Sequence, residues 1–115
     1  MTREEFDTIL AELQRKYRLL SERKNAVNKS WYNGVFERYE NPVLTSEHIP
    51  LAWRYDFNYN SNPYLLERVG VNAVFNSGAI YHEGKFVLVA RVEGYDRKSY
   101  FAVARSENGV DNFIF

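Results

Sequence analysis

Residues 71–115 constrain the fold more than any other part of the chain. Asn72 to Tyr81 and Phe86 to Val92 are runs rich in β-branched and aromatic residues, and "HEGK" separates them, with Gly84 able to supply the left-handed turn conformation. The pair therefore predicts an antiparallel hairpin. A third strand, Ser99 to Arg105, follows a charged loop, and "SENGVDN" turns the chain toward a fourth that ends in "FIF". Four short antiparallel strands in succession form a meander, the unit of a β-propeller blade and equally a part of a sandwich or barrel. No second copy of the unit occurs, and one blade cannot close a ring.

The hairpin carries the chemistry. Within "KFVLVARVEG" the pleat puts Phe86, Leu88, Ala90 and Val92 on one face and Val87, Val89, Arg91 and Glu93 on the other. Arg91 thus follows two valines on its own face. A guanidinium at the end of a mostly buried strand needs acceptors: a carboxylate of Glu93, Asp96 or a distant acid in an ion pair, or the oxygens of a phosphate or a sugar. In "FNSGAI", Asn76, Ser77 and Gly78 interrupt an apolar strand, which marks a bulge or small polar groups aimed at a ligand. Asn76 and Arg91 sit on adjacent hairpin strands and are placed to face one cavity.

The remainder divides in two. Residues 1–24 read as an amphipathic helix: Thr2 caps it, Glu5 completes a capping box, and Phe6, Ile9, Leu10, Leu13, Tyr17 and Leu20 recur at helical spacing. That stripe must lie on its own domain or on a neighbouring subunit. Residues 25–70 form an irregular arm with Asn33-Gly34, Pro42, Pro50 and Pro63 at its turns, holding Trp31, Tyr32, Trp53, Tyr55, Phe57, Tyr59 and Tyr64. A connection that long is usually functional or part of a larger assembly.

Composition excludes several classes of function. Fifteen basic residues balance fifteen acidic ones, so no field gathers nucleic acid or an anionic membrane. There is no cysteine, hence no disulfide scaffold and no thiolate metal site, which fits a reducing cytoplasm. "MTREEFDTIL" lacks the apolar core of a signal peptide, and no run approaches the roughly 20 apolar residues of a membrane span. His48 and His82 are isolated from carboxylates at ligand spacing, and no metal site is expected. Phosphate-loop, dinucleotide and nucleophile-elbow motifs are absent. Aromatic residues reach 17%, a level that suits sugar-binding or protein-binding surfaces as well as β-rich packing.

The long patterns "PVLT…H.P..WRYD.N…NP.L.ER.G.NA" and "ARVEG.DRKS.FAVA.S.NG.DNF" resemble the mannoside phosphorylases of glycoside hydrolase family 130, from about Glu22 to Phe115. The resemblance implies a mainly β fold: an N-terminal helix plus the first four-stranded blade of a five-bladed β-propeller, here incomplete, divided as helix 1–24, arm 25–70 and blade 71–115. It implies phosphorolysis of a β-1,4-mannosyl-glucose with inversion, to α-mannose 1-phosphate and glucose, with inorganic phosphate as co-substrate and no other cofactor. Phosphate replaces the activated water of inverting hydrolases, so one carboxylic acid suffices. Carried over by position, Asn76, Ser77 and Arg91 line the mannose subsite, while Asp96, Arg97 and Lys98 of "DRKS" fall at the mouth of the funnel on the acceptor side. The "WRYD" run supports the site or an intersubunit contact, and the helix is associated with oligomer assembly.

The resemblance also implies what the chain lacks. A five-bladed propeller needs on the order of 250 to 300 residues, and the family's catalytic Asp, in a "YDMRL"-like motif, and its phosphate-binding basic residues belong to later blades. No catalytic residue is therefore expected within these 115 residues. The expected partners are a β-mannoside disaccharide, phosphate, and either further copies of the chain or the rest of the propeller. Two other readings stay open: a non-catalytic oligomerising or carbohydrate-binding fragment, and a propeller that hydrolyses mannosides.

Overall fold

A computed structural model describes residues 1–115, apart from the side chain of Asn76. At its centre is a three-stranded antiparallel sheet in the order β1 (Val71–His82), β2 (Lys85–Gly94), β3 (Ser99–Ser106). Glu83 and Gly84, both at positive φ, form the two-residue turn between β1 and β2, in the conformation whose twist matches the flanking strands. The segment ending in "FIF" adds to the sheet through one bridge, in which Arg105 and Ile114 exchange backbone hydrogen bonds of 2.9 Å. The meander is thus three full strands with a fourth touching at a single position.

One face of the sheet is the core. Val71, Ala90, Val92, Ala102 and Ala104 are buried there, and what covers them is the arm and the chain end: Leu44, Ile49 and Phe113, with Val43, Val74, Leu88 and Phe115 at the margin. Alanine at positions 90, 102 and 104 lets the covering segments approach closely. The arm is therefore a structural layer as well as a connection. The helical turn α2 (Leu51–Arg54) follows Ile49 directly and sets Trp53 against Phe115, with ring centroids 5.9 Å apart.

The helix α1 (Arg3–Ser21) begins as its sequence dictates: the Thr2 hydroxyl accepts from the Glu5 amide, and the Glu5 carboxylate accepts from the Thr2 amide at 2.7 Å. Its apolar stripe lies partly on its own chain, with Ile9 left exposed. Phe6 is buried edge-on against Tyr59, with centroids 5.4 Å apart, and the Tyr17 hydroxyl reaches the His48 carbonyl. Among the described residues no helix is long and apolar enough to cross a membrane.

Two polar anchors fix the arm. The buried Arg54 donates from Nε to Glu67 Oε1, with Glu47 3.6 Å from its Nη1, and its carbonyl accepts from the amides of Arg68 and Val69. Asp111, also buried, accepts from the Asn25 amide and from Asn108 Nδ2, which ties the start of the arm to the end of the chain. The Asn25 hydrogen bond is the main cause holding the Asp111 carboxyl below its usual range, ahead of the one from Asn108.

Between these anchors residues 27–39 project as a loop closed by Val27 and Tyr39, with Asn28 donating to the Arg38 carbonyl. Trp31, Tyr32, Val35 and Phe36 are exposed on it. The molecule measures 56 × 28 × 27 Å.

Candidate functional site

The interruption at "FNSG" is a bulge. Phe75 pairs with Arg91 and Gly78 with Val89, so Asn76 and Ser77 together stand opposite Ala90 alone. The extra residue shifts the pleat of β1 beside Arg91, and the bulge lies next to that guanidinium in the register. The side chain of Asn76 lies outside the described residues.

Arg91 occupies the sheet face opposite the core. Its row across the three strands is Phe75, Arg91, Phe101, and its guanidinium carbon sits 4.1 Å from the centre of the Phe75 ring. That stacking is worth about 1 kcal/mol and fixes the plane of the fork. Among the described residues Arg91 forms no ion pair. Glu93 accepts instead from Asn72 Nδ2 at 2.7 Å, and Asp96 accepts from the Lys98 amide at 3.0 Å. The buried Nε of Arg91 has no hydrogen-bond partner among the described residues. A desolvated guanidinium nitrogen without an acceptor is costly, and an incoming oxygen removes that cost.

Of the second group of predicted residues, Asp96 and Lys98 line a different depression and Arg97 does not. Gly94 to Lys98 form the β2–β3 turn, closed by Arg97 N to Gly94 O at 3.0 Å and Gly94 N to Lys98 O at 2.9 Å, with Arg97 at φ 66°. Asp96 and Lys98, with Tyr95 and Tyr100, line one wall of a groove of about 500 Å³, and Glu67, Arg68, Val69 and Gly70 line the other. Tyr95 lies so close over Gly70 that no side chain fits there. The Arg54–Glu67 pair holds the second wall in place. Ser77 and Arg91 do not line this groove. The six predicted residues thus fall into two sets: bulge and guanidinium on the sheet face, charged turn at its end.

Three contributors to these places carry no local sequence signal. Phe75 lies under Arg91 only because of strand register, and Glu67 meets Arg54 across thirteen residues of sequence. Tyr95 reaches Gly70 through the fold of the turn. Among the described residues no three His, Asp or Glu side chains gather as a metal site would require.

No family model matches the chain. Over 110 residues, 96% of its length, the chain is 51% identical to a 4-O-β-D-mannosyl-D-glucose phosphorylase of Bacteroides fragilis. Those residues span 28% of that relative, so the chain covers under a third of its length. The similarity to that one mannosyl-glucose phosphorylase thus runs along nearly the whole chain.

Proposed function

We propose, on this kinship with a mannosyl-glucose phosphorylase, that the chain is the N-terminal part of an inverting β-1,4-mannosyl-glucose phosphorylase of glycoside hydrolase family 130. The observation that carries the reading is 51% identity over 96% of the chain, which includes the "FNSG" and "VARVEG" runs within its length. In this reading residues 71–115 are the first blade of a five-bladed propeller and contribute one wall of the mannose subsite.

The chemistry assigned to these residues is binding and orientation. Arg91, braced on Phe75 and lacking an acceptor at Nε, donates to mannose hydroxyls; the backbone bulge at residues 76 and 77 lies beside it in the register. Asp96, Arg97 and Lys98 act at the funnel mouth on the glucose side. The proton donor and the phosphate site are supplied from outside these residues, so the chain by itself carries out no phosphorolysis.

Two measurements test this. Incubated with β-1,4-mannosyl-glucose and inorganic phosphate, the purified chain is expected to release no mannose 1-phosphate; release would overturn the division of labour. In a nuclear magnetic resonance titration with the disaccharide, the amides of residues 75–78 and of Arg91 are expected to shift first. A response confined to other residues would remove the sugar role of the bulge.

The open sheet face favours a second reading. Ile80 and Phe101 stand 58% and 74% exposed on it, which suits a non-catalytic module that associates through that face. A chain that self-associates and ignores the disaccharide would favour this reading over the first.

A further inference from the structure

The tripeptide Asn-Gly-Val occurs twice, as Asn33–Val35 at the tip of the projecting loop and as Asn108–Val110 after β3. Both glycines hold positive φ, 84° at Gly34 and 74° at Gly109. In both, the asparagine Oδ1 accepts from the amides that follow: Val35 and Phe36 at 3.0 Å each, and Val110 and Asp111 at 3.0 and 3.1 Å. The two sites share sequence and turn, and they differ in the groups that an intramolecular reaction would use.

At the loop tip those groups are free. Gly34 N and Asn33 Nδ2 have no hydrogen-bond partner among the described residues, Asn33 is exposed, and nothing lies within 4 Å of the open side of Gly34. After β3 they are committed. Gly109 N donates to Ser106 Oγ at 3.1 Å, Asn108 Nδ2 donates to the buried Asp111 carboxylate at 2.9 Å, and the Phe86 ring covers Gly109.

The geometry points to Asn33 as a site of spontaneous deamidation, with Asn108 protected by its own hydrogen bonds. Gly34 N, losing its proton to solvent base, attacks Asn33 Cγ, and the charge that develops on Oδ1 is received by the amides of Val35 and Phe36. The Cγ–Nδ2 bond breaks and ammonia leaves, giving a succinimide. Water then opens either carbonyl to yield aspartate or isoaspartate. The product sets a carboxylate among the exposed Tyr32, Val35 and Phe36, which changes a neutral apolar tip into an anionic one. Isoaspartate also adds a backbone carbon to the turn.

The test is peptide mapping by mass spectrometry of the full chain aged at mildly alkaline pH, folded and in denaturant. In the folded chain the Asn33 peptide is expected to convert while the Asn108 peptide stays intact. In denaturant the two are expected to convert alike, since their local sequences match. Equal conversion in the folded chain, or faster conversion at Asn108, would overturn the assignment, as would an Asn108 that stays slow when unfolded. Ser106→Ala, which releases Gly109 N, is expected to raise conversion at Asn108 in folded protein, checked by circular dichroism, and to leave Asn33 unchanged. If the variant does not fold, Asn33→Gln decides: it abolishes the loop signal and leaves Asn108 intact.

Discussion

The two faces of the sheet have nearly the same apolar character and opposite surroundings. On one, Ala90, Val92, Ala102 and Ala104 lie under Leu44, Ile49 and Phe113 and are buried. On the other, Ile80, Val89, Phe101 and Val103 are exposed, and Arg91, half-buried among them, lacks an acceptor at Nε. Strands apolar on both faces belong to sheets covered on both sides. The difference shows that the arm completes one layer of the fold and that the opposite face has the character of a layer awaiting a neighbour.

Cutting into each face should separate them most clearly. Ile49→Ala removes a fully buried arm side chain from the cluster it forms with Val71, Val92 and Ala102, and a loss of about 2–5 kcal/mol is expected in urea unfolding. Phe101→Ala, at an exposed position of the opposite face, is expected to change stability by less than about 0.5 kcal/mol. Comparable losses at the two positions would mean that the open face is already covered in solution, and light scattering would then reveal by what.

A smaller effect tests how the arm is held. Arg54→Leu leaves the Glu67 carboxylate, itself largely buried, without its partner and loosens the wall of the groove facing Asp96 and Lys98. A loss of about 2 kcal/mol is expected, below the range for wholly buried pairs because Glu67 retains some water. The double variant Arg54→Leu with Glu67→Leu should recover part of it. No recovery would place the contribution of Arg54 in packing alone.

His48 adds a pH dependence to the covered side. Its Nδ1 accepts from the Thr45 amide at 2.9 Å, and since an amide only donates, that nitrogen is unprotonated. Burial is the main cause lowering its pKa below 6.5, followed by the positive charge of Arg23, with Glu47 acting the other way. The folded state therefore prefers the neutral ring. Its contribution is complete above 6.5 and is lost as pH falls below that value toward the depressed folded one. Urea midpoints should drop across that window in the native chain and less so in His48→Gln. A stability that rises on acidification through it would contradict the arrangement.

How far the sequence revealed this follows the range of the interactions involved. The capping box at Thr2 and Glu5, the turn at Glu83 and Gly84 and the sides of β2 rest on neighbours within a few residues, and they are legible. The fourth strand is present but short: "FIF" pairs at Ile114 alone, while Phe113 and Phe115 turn into the core. The arm resisted reading because its aromatic-rich pattern has no period. Leu44, Ile49 and Arg54 acquire their roles only when the sheet is beneath them. The site divides in the same way. The bulge was legible from "FNSG", whereas the stacking of Arg91 on Phe75 depends on a one-residue shift in strand register.

Arg91 gives the finest test of the uncovered face. Replacing it with Met keeps the apolar stem, gives up the stacking of the guanidinium on Phe75, and removes a group whose Nε is buried without an acceptor. A group held for folding would make the variant less stable; a group held for a ligand leaves stability unchanged or raises it, by at most about 1 kcal/mol. We expect the second outcome in urea unfolding, together with loss of the disaccharide response at residues 75–78. Arg91→Lys keeps the charge and loses the planar fork, so it should retain stability and recover little of that response. If Arg91→Met instead destabilises by an amount typical of a broken buried ion pair, the guanidinium is a structural cation and the sheet face has no ligand role through it.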